Sequence, residues 1–153
     1  MRINNNLAGK FSLSLFILVC FLQNYASAQS SAAIVPGEGV GLWKLDSTRD
    51  GVKTHIPINM EPRKARTSDG FAADFYSELG LTFYFNAQDK VEKILVINQN
   101  FIVRGSGIHV GDNYSKVKEK YGNLSADLQK LGIYFHKDPN SNKIAAILIT
   151  KGQ

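Results

Sequence analysis

Hydrophobic and polar residues alternate in two parts of the chain, and each part predicts a β-hairpin. Residues 81–85 alternate as Leu-Thr-Phe-Tyr-Phe, and residues 91–97 return after a polar turn. Residues 133–136 alternate as Ile-Tyr-Phe-His, and residues 144–150 return after a turn that contains Pro139. Period-two alternation between turn residues is typical of half-buried strands. The return segments do not alternate cleanly, which indicates that each of them is partly covered on both of its faces.

A short amphipathic segment precedes each hairpin and predicts a helix. In the first segment, Ser47-Thr48 can cap the helix and Val52 faces inward. In the second segment, Asp112 or Asn113 provides the cap and Gly122 ends the helix. The apolar residues of this second segment recur at helical spacing, at Tyr114, Val117 and Tyr121.

The two helix-plus-hairpin segments are similar to each other and predict an internal repeat. We assign repeat one to residues 39–104 and repeat two to residues 105–153, which form a single domain at 39–153 after a flexible N-terminal segment at 29–38. The predicted fold class is α+β: the repeats combine their strands into one antiparallel sheet, and the short helices pack on one face of it. The predicted core consists of Leu81, Phe83, Ile94, Val96, Ile108, Val117, Ile133, Phe135 and Ile147.

Residues 1–28 have the pattern of a secretory signal peptide. Arg2 and Lys10 provide a positive region, residues 11–22 are an apolar run, and residues 26–28 (Ala-Ser-Ala) form a small-x-small cleavage site. The apolar run is shorter than the ~20 residues that span a bilayer as a helix. We therefore expect cleavage, a secreted or periplasmic location, and no stable membrane span after cleavage.

Charge and cysteine content narrow the classes of partner and chemistry. The chain has a formal net charge of +5 at pH 7, and Arg2 and Lys10 leave with the signal peptide. The mild excess of cations in the exported chain supports no nucleic-acid partner. Cys20 is the only cysteine and leaves in the same way, so the exported chain has no disulfide, thiol nucleophile or thiolate metal ligand.

The three histidines are candidates for a catalytic base, but their surroundings in the sequence match no catalytic or metal-binding motif. They are His55, His109 and His136, with no His-x-x-x-His pair and no serine in a G-x-S-x-G elbow. The stretch at 138–149 begins like a calcium loop, but Lys143 replaces the turn glycine. We therefore predict no catalytic residue, no metal and no cofactor. A small secreted hydrolase with a histidine base, and a small-ligand or lipid carrier, are the alternatives.

The strand alternation also predicts which residues share the sheet face that points away from the core. If Leu81 and Phe83 face inward, then Tyr84, Tyr134 and His136 face outward. Tyrosine provides a large contact area at low entropic cost, so this face is a candidate surface for docking a protein. Ordinary cross-strand pairing on a half-covered sheet is the alternative interpretation.

Repeat one carries roughly 13 extra residues, within the range 56–78, that repeat two lacks. Its residues 60–70 form the longest polar, turn-rich stretch of the chain, and such stretches are typical of mobile or functional loops. Arg63, Lys64 and Arg66 in this predicted loop can meet an acidic partner or lipid headgroups, and a solvated surface loop is the alternative.

The segment at residues 107–122 resembles a pattern of small exported bacterial α+β proteins. It reads Gly-Ile-His-Val-Gly-Asp-Asn-Tyr-Ser-Lys-Val-Lys-Glu-Lys-Tyr-Gly, which matches G-I-x-(V/L)-G, a capping residue, then V-x-x-x-(Y/F)-G. The pattern occurs in outer-membrane-assembly lipoproteins of the SmpA/OmlA type and in tandem-repeat β-lactamase-inhibitor-like proteins. The duplication is more similar to the second group, although Val19 before Cys20 departs from a lipoprotein signal and the exported chain lacks the cysteines of such inhibitors. The resemblance implies a non-enzymatic protein-binding module, either an envelope inhibitor or an assembly factor.

Overall fold

Strands dominate the part of the chain that the structure describes. The computed structural model describes residues 33–122 and 125–153. The strands in these ranges are β1 (Ala33–Val35), β2 (Gly39–Val40), β3 (Trp43–Lys44), β4 (Arg63–Arg66), β5 (Ala72–Tyr76), β6 (Leu81–Phe85), β7 (Val91–Val96), β8 (Ile102–Val103), β9 (Ile133–Lys137) and β10 (Ile144–Thr150). The helices are α1 (Arg49–Lys53), α2 (Ser115–Tyr121) and α3 (Ser125–Leu131). None of these three helices is long and apolar enough to cross a membrane. The predicted signal peptide lies outside the described residues.

Six strands form a large antiparallel sheet in the order β4-β5-β6-β7-β10-β9. The two hairpins that the alternation predicts are β6–β7 and β9–β10, and they meet where β7 pairs with β10. The register places Phe83 opposite Ile94, Ile94 opposite Ile149, and Ile149 opposite Ile133. Residues directly opposite each other point to the same face, so these four side chains form one apolar row across the sheet.

A small sheet packs on this apolar face of the large sheet, which we call the core face. Its order is β3-β2-β1-β8, with β1 parallel to β8 and antiparallel to β2. Trp43 of β3 lies against Phe83 with 6.0 Å between ring centroids. Helix α2 packs on the same side, where the ring centroids of Tyr121 and Phe135 are 6.0 Å apart. The core therefore lies between the two sheets and is closed by short helices.

The predicted core is confirmed. All nine residues are buried, and the most exposed of them, Phe135, retains only 8% of its accessible surface. The predicted cap of the first helix is also present, since Thr48 Oγ1 accepts a hydrogen bond from the backbone N–H of Gly51 at 3.1 Å. The predicted cap of the second helix at Asp112 or Asn113 is wrong, because the N-cap residue of α2 is Tyr114, which makes no side-chain cap hydrogen bond. Asn113 Oδ1 accepts a hydrogen bond from the backbone N–H of Ser115 at 2.9 Å, and the predicted end of this helix at Gly122 is confirmed.

The predicted α+β fold of two helix-plus-hairpin repeats is wrong: the chain is mostly β, with two sheets and three short helices in its described part. Strands also form in two segments for which the sequence predicted none. Residues 33–44 supply β1, β2 and β3, and residues 56–78 supply β4 and β5. The predicted flexible segment thus contains strand β1, while its residues 29–32 lie outside the described ranges. Strand β1 pairs with the distant β8, and β4 pairs with its neighbour β5; the hydropathy of each segment taken alone does not show that it pairs.

Candidate functional site

The large sheet has a second face, opposite the core face, which we call the open face; the three helices pack apolar residues in or against the core cluster, as Val52, Val117 and Leu128 show. One row of opposed residues crosses all six strands on this face. From the β4 edge to the β9 edge the row is Arg63, Phe75, Thr82, Leu95, Leu148 and Tyr134. Four of its members are apolar or aromatic, although a sheet face in contact with water is usually polar.

The apolar members of this row are neither fully buried nor fully exposed. Phe75, Leu95, Leu148 and Tyr134 are all half-buried, whereas their neighbours on the core face, Ile94 and Ile147, retain none of their accessible surface. Neighbouring side chains on the sheet account for part of this covering. The rest of each side chain is available to a partner, so the open face is a half-exposed apolar surface that continues across several strands.

A groove of about 370 Å³ runs over the open face. Tyr84 and His136, which the sequence predicts as binding residues, both line it. The other residues that line it are Thr67, Asp69, Phe71, Lys93, Leu95, Ala146 and Leu148. Tyr134 does not line the groove, but it stands beside Leu148 in the row described above. The structure therefore places all three predicted residues on one face, and two of them in one groove.

A charged pair and a phenol set the electrostatics of the groove. Lys93 Nζ lies 4.3 Å from the centre of the Phe71 ring and 3.6 Å from Asp69 Oδ2. Burial, assisted by the nearby Asp69 carboxylate, raises the pKa of Tyr84. Tyr84 is therefore a neutral phenol at physiological pH, and its hydroxyl can both donate and accept a hydrogen bond.

The predicted basic loop is not a loop. Arg63, Lys64 and Arg66 belong to strand β4, and all are exposed. Arg63 is opposite Phe75 and shares the open face, whereas Lys64 is opposite Asp74 and Arg66 is opposite Ala72, on the other face. Since successive residues of a strand point to opposite faces, the structure separates the three cations that the sequence places together.

Arg66 lines a second groove, of about 640 Å³, together with Arg49. Arg49 forms ion pairs with the buried Asp74 and with Asp89, and its guanidinium lies 3.9 Å from the centre of the Phe85 ring. Burial alone would lower the pKa of Arg49, but hydrogen bonds to Asp74 and Asp89 outweigh it and raise the pKa. Both partners of Arg49 are thus already in the chain, so this cluster joins α1 to the large sheet and is not free for a ligand.

The three histidines lie on different elements. His55 is exposed after α1, and His136 is exposed on the open face. His109 Nδ1 is 2.9 Å from the carbonyl oxygen of Val110, and its Nε2 is 3.6 Å from Asp112 Oδ1. No hydrogen bond among the described residues joins a histidine to a serine. Those residues also contain no group of three or more His, Cys, Asp or Glu that could hold a metal.

Asp112 holds the segment before α2 in place. Its Oδ2 accepts a hydrogen bond from the backbone N–H of His109 at 3.1 Å, and its Oδ1 pairs with Lys116. Burial alone would raise the pKa of this carboxyl group. The hydrogen bonds from Lys116 and from the His109 backbone, with the charges of both residues, lower the pKa overall. Asp112 therefore has a structural role next to His109.

Several residues of the open face were not predicted from the sequence. Leu95 and Leu148 lie at its centre, and Phe71 lies at its rim. The signal for the first two was present, because they interrupt the alternation of the two return strands and so place apolar side chains on both faces. Phe71 follows the β4–β5 turn, and no local pattern connects it with Tyr84.

Comparison of the chain with protein-family models, curated proteins and solved structures finds no significant match. The resemblance to SmpA/OmlA-type and β-lactamase-inhibitor-like proteins stays a prediction.

Proposed function

We propose that this protein is a non-enzymatic binding module, secreted or periplasmic, that recognises a partner protein through the open face of its large sheet. In this function the protein acts as an inhibitor or as an assembly factor in the envelope. The observation that carries the proposal is the half-exposed apolar row on the open face, with Tyr84 and His136 in the adjoining groove.

The chemistry of the face supports a protein as the partner. Contiguous exposed apolar surface on a monomer marks an interaction site more often than isolated exposed residues do. Tyr134 and Tyr84 provide large, rigid contacts with a polar end, and residues of this kind contribute strongly to binding energy at the centre of interfaces. Arg63 and the Lys93–Asp69 pair lie near the edge of the apolar surface, as polar residues do in the rim of a protein interface.

A double variant, Tyr84→Ser/Tyr134→Ser, tests the role of the open face. The partner is first captured from envelope extract with the purified protein, identified, purified, and titrated against wild type and variant by calorimetry. The matched control is Leu42→Ser/Ile102→Ser, which removes exposed apolar side chains that lie outside the large sheet. Loss of two aromatic contacts is expected to weaken binding about 10–100-fold, and the control is expected to bind like wild type.

Unchanged affinity of the tyrosine double variant, in a protein whose thermal unfolding matches wild type, would refute docking at the open face. N-terminal sequencing of protein recovered from the periplasm or medium tests export separately. Export predicts that the chain begins at Gln29, and an intact Met1 would contradict cleavage of the signal peptide.

A further inference from the structure

Strand β4 is a free edge of the large sheet. It pairs with β5 on one side, and no described strand lies on its other side. All four of its residues are exposed. Natural proteins rarely leave such an edge uncovered without charges or irregularities that prevent indiscriminate pairing.

The hydrogen-bond pattern shows which backbone groups point out from this edge. The N–H of Thr67 donates to the carbonyl of Phe71 at 2.9 Å, which makes these two residues a hydrogen-bonded pair. Hydrogen-bonded pairs alternate along an antiparallel ladder, so Ala65 and Arg63 bond to β5 and the backbone groups of Lys64 and Arg66 point outward. No backbone hydrogen bond among the described residues outside the strand ladders uses those outward groups.

The side chains of this edge carry a concentrated positive charge. Arg63, Lys64 and Arg66 are three of its four residues, and none of them takes part in an ion pair within the described ranges. Among the described residues, the guanidinium of Arg66 donates only to the carbonyl oxygen of Gly70, at 3.2 Å. The edge therefore offers unpaired backbone groups and uncompensated cations at the same place.

We propose that the β4 edge binds an acidic, extended segment of the partner protein as an additional strand of the large sheet. This inference rests on the proposed protein-binding function and specifies how the partner is held. The outward N–H and C=O groups of Lys64 and Arg66 bond to the backbone of the added strand, in the manner of β-strand addition. Carboxylates of that strand lie opposite Arg63 on the open face and opposite Lys64 and Arg66 on the other face.

The arrangement favours an acidic strand over a second copy of this chain or a membrane. Two β4 edges would bring three cations against three cations, and opposed like charges are destabilising. A membrane surface is planar, whereas the alternation of the strand directs Arg63 to one face and Lys64 and Arg66 to the other. An added strand alternates in the same way, so its carboxylates reach the cations on both faces.

A short synthetic peptide serves as the probe. The peptide is Thr-Glu-Val-Glu-Glu-Thr, acetylated and amidated at its ends. In an antiparallel arrangement, its central residues Glu-Val-Glu-Glu lie opposite Arg66, Ala65, Lys64 and Arg63, in that order. N-methylation of its first and second glutamates blocks the two amides that would bond to Lys64 and Arg66. N-methylation of its valine and third glutamate blocks amides that point away, and this peptide has the same charge and the same number of methyl groups.

Binding of each peptide to isotope-labelled protein is followed by NMR at low salt. The unmodified peptide is expected to shift the backbone amides of Lys64 and Arg66, and the first methylated form to bind about tenfold more weakly than the second. Arg63→Ser/Lys64→Ser/Arg66→Ser is expected to weaken binding at least ~10-fold. The control triple Lys118→Ser/Lys120→Ser/Lys143→Ser, with the same loss of charge at exposed sites elsewhere, is expected to bind like wild type.

Equal binding of the two methylated peptides, no binding of the unmodified one, or shifts confined to the open face would each overturn strand addition. Anionic phospholipid vesicles are tested in the same way. If the vesicles bind and no peptide does, and substitution of Arg63, Lys64 and Arg66 abolishes vesicle binding, the ligand of the edge is a lipid. The purified partner separates this inference from the proposed function: if Tyr84→Ser/Tyr134→Ser weakens its binding and the edge triple variant does not, strand addition alone fails. If neither variant affects a bound partner, both proposals fail.

Discussion

Arg49→Met is expected to destabilise the fold by about 3 kcal/mol, because it leaves the carboxylate of Asp74 buried without its cation. Asp74 is 1% exposed, and the ion pair between its Oδ2 and the Arg49 guanidinium compensates the buried charge. Breaking a buried pair from one side typically costs ~3–5 kcal/mol. The lower end applies because the Arg49 side chain is 18% exposed, which lets water approach the pair. Methionine keeps an unbranched apolar side chain that can pack against Phe85.

The companion variants are Asp74→Leu and the double variant Arg49→Met/Asp74→Leu. Removing both charges replaces the pair by apolar groups, and such replacements are often neutral, so the double variant is expected to lose less stability than Arg49→Met alone. Urea unfolding followed by circular dichroism gives the free energy of each variant. A loss of about 3 kcal/mol should also lower the Tm by about 10–15 °C in a domain of this size.

A loss below ~1 kcal/mol for Arg49→Met, which is the range of exposed ion pairs, would show that Asp74 does not need this cation. Simple addition of the two single losses in the double variant would show that Arg49 and Asp74 do not interact. Arg49→Lys is a useful further comparison, because it keeps the charge but replaces the planar guanidinium that lies over Phe85.

Two further predictions concern stability. Gly132 has φ of 68°, and a Cβ there would overlap the carbonyl oxygen of Thr150, whereas Gly105 has φ of 80° with no atom within 4 Å of the same position. Gly132→Ala should therefore cost more than ~3 kcal/mol in urea unfolding and Gly105→Ala only ~1–2 kcal/mol, and equal losses would contradict the close packing at Gly132. Because the folded pKa of Asp112 is lowered, its ionised form stabilises the fold above the ordinary aspartate pKa of ~3.9, and this contribution disappears as pH falls through the lowered folded value. The stability difference between wild type and Asp112→Asn should thus be constant above pH ~5 and shrink on acidification, and a difference unchanged down to pH ~3 would contradict the assignment.

The candidate site shows how far sequence patterns reach. Tyr84, Tyr134 and His136 were placed on one face from alternation alone, because a strand has a period of two whatever its neighbours are. The assignment of Arg63, Lys64 and Arg66 to a loop was wrong, since β4 has four exposed residues and no apolar alternation that would reveal a strand. Its strand state depends on pairing with β5, which is a property of the assembled sheet.

Burial was the property that local pattern predicted well. Ile94, Val96 and Ile147 are buried because each is an apolar side chain on a strand that turns one face to the core, and that follows from hydropathy and the geometry of a single strand. Neighbour relations were different, because pairing such as that of β1 with β8 joins segments far apart in the chain. Burial of apolar surface stabilises many alternative strand pairings, because the hydrophobic effect is not directional. The pairing with the lowest free energy depends on the packing of the whole core. The two-sheet fold, the continuous apolar row on the open face and the exposed basic edge at β4 all arise at that level.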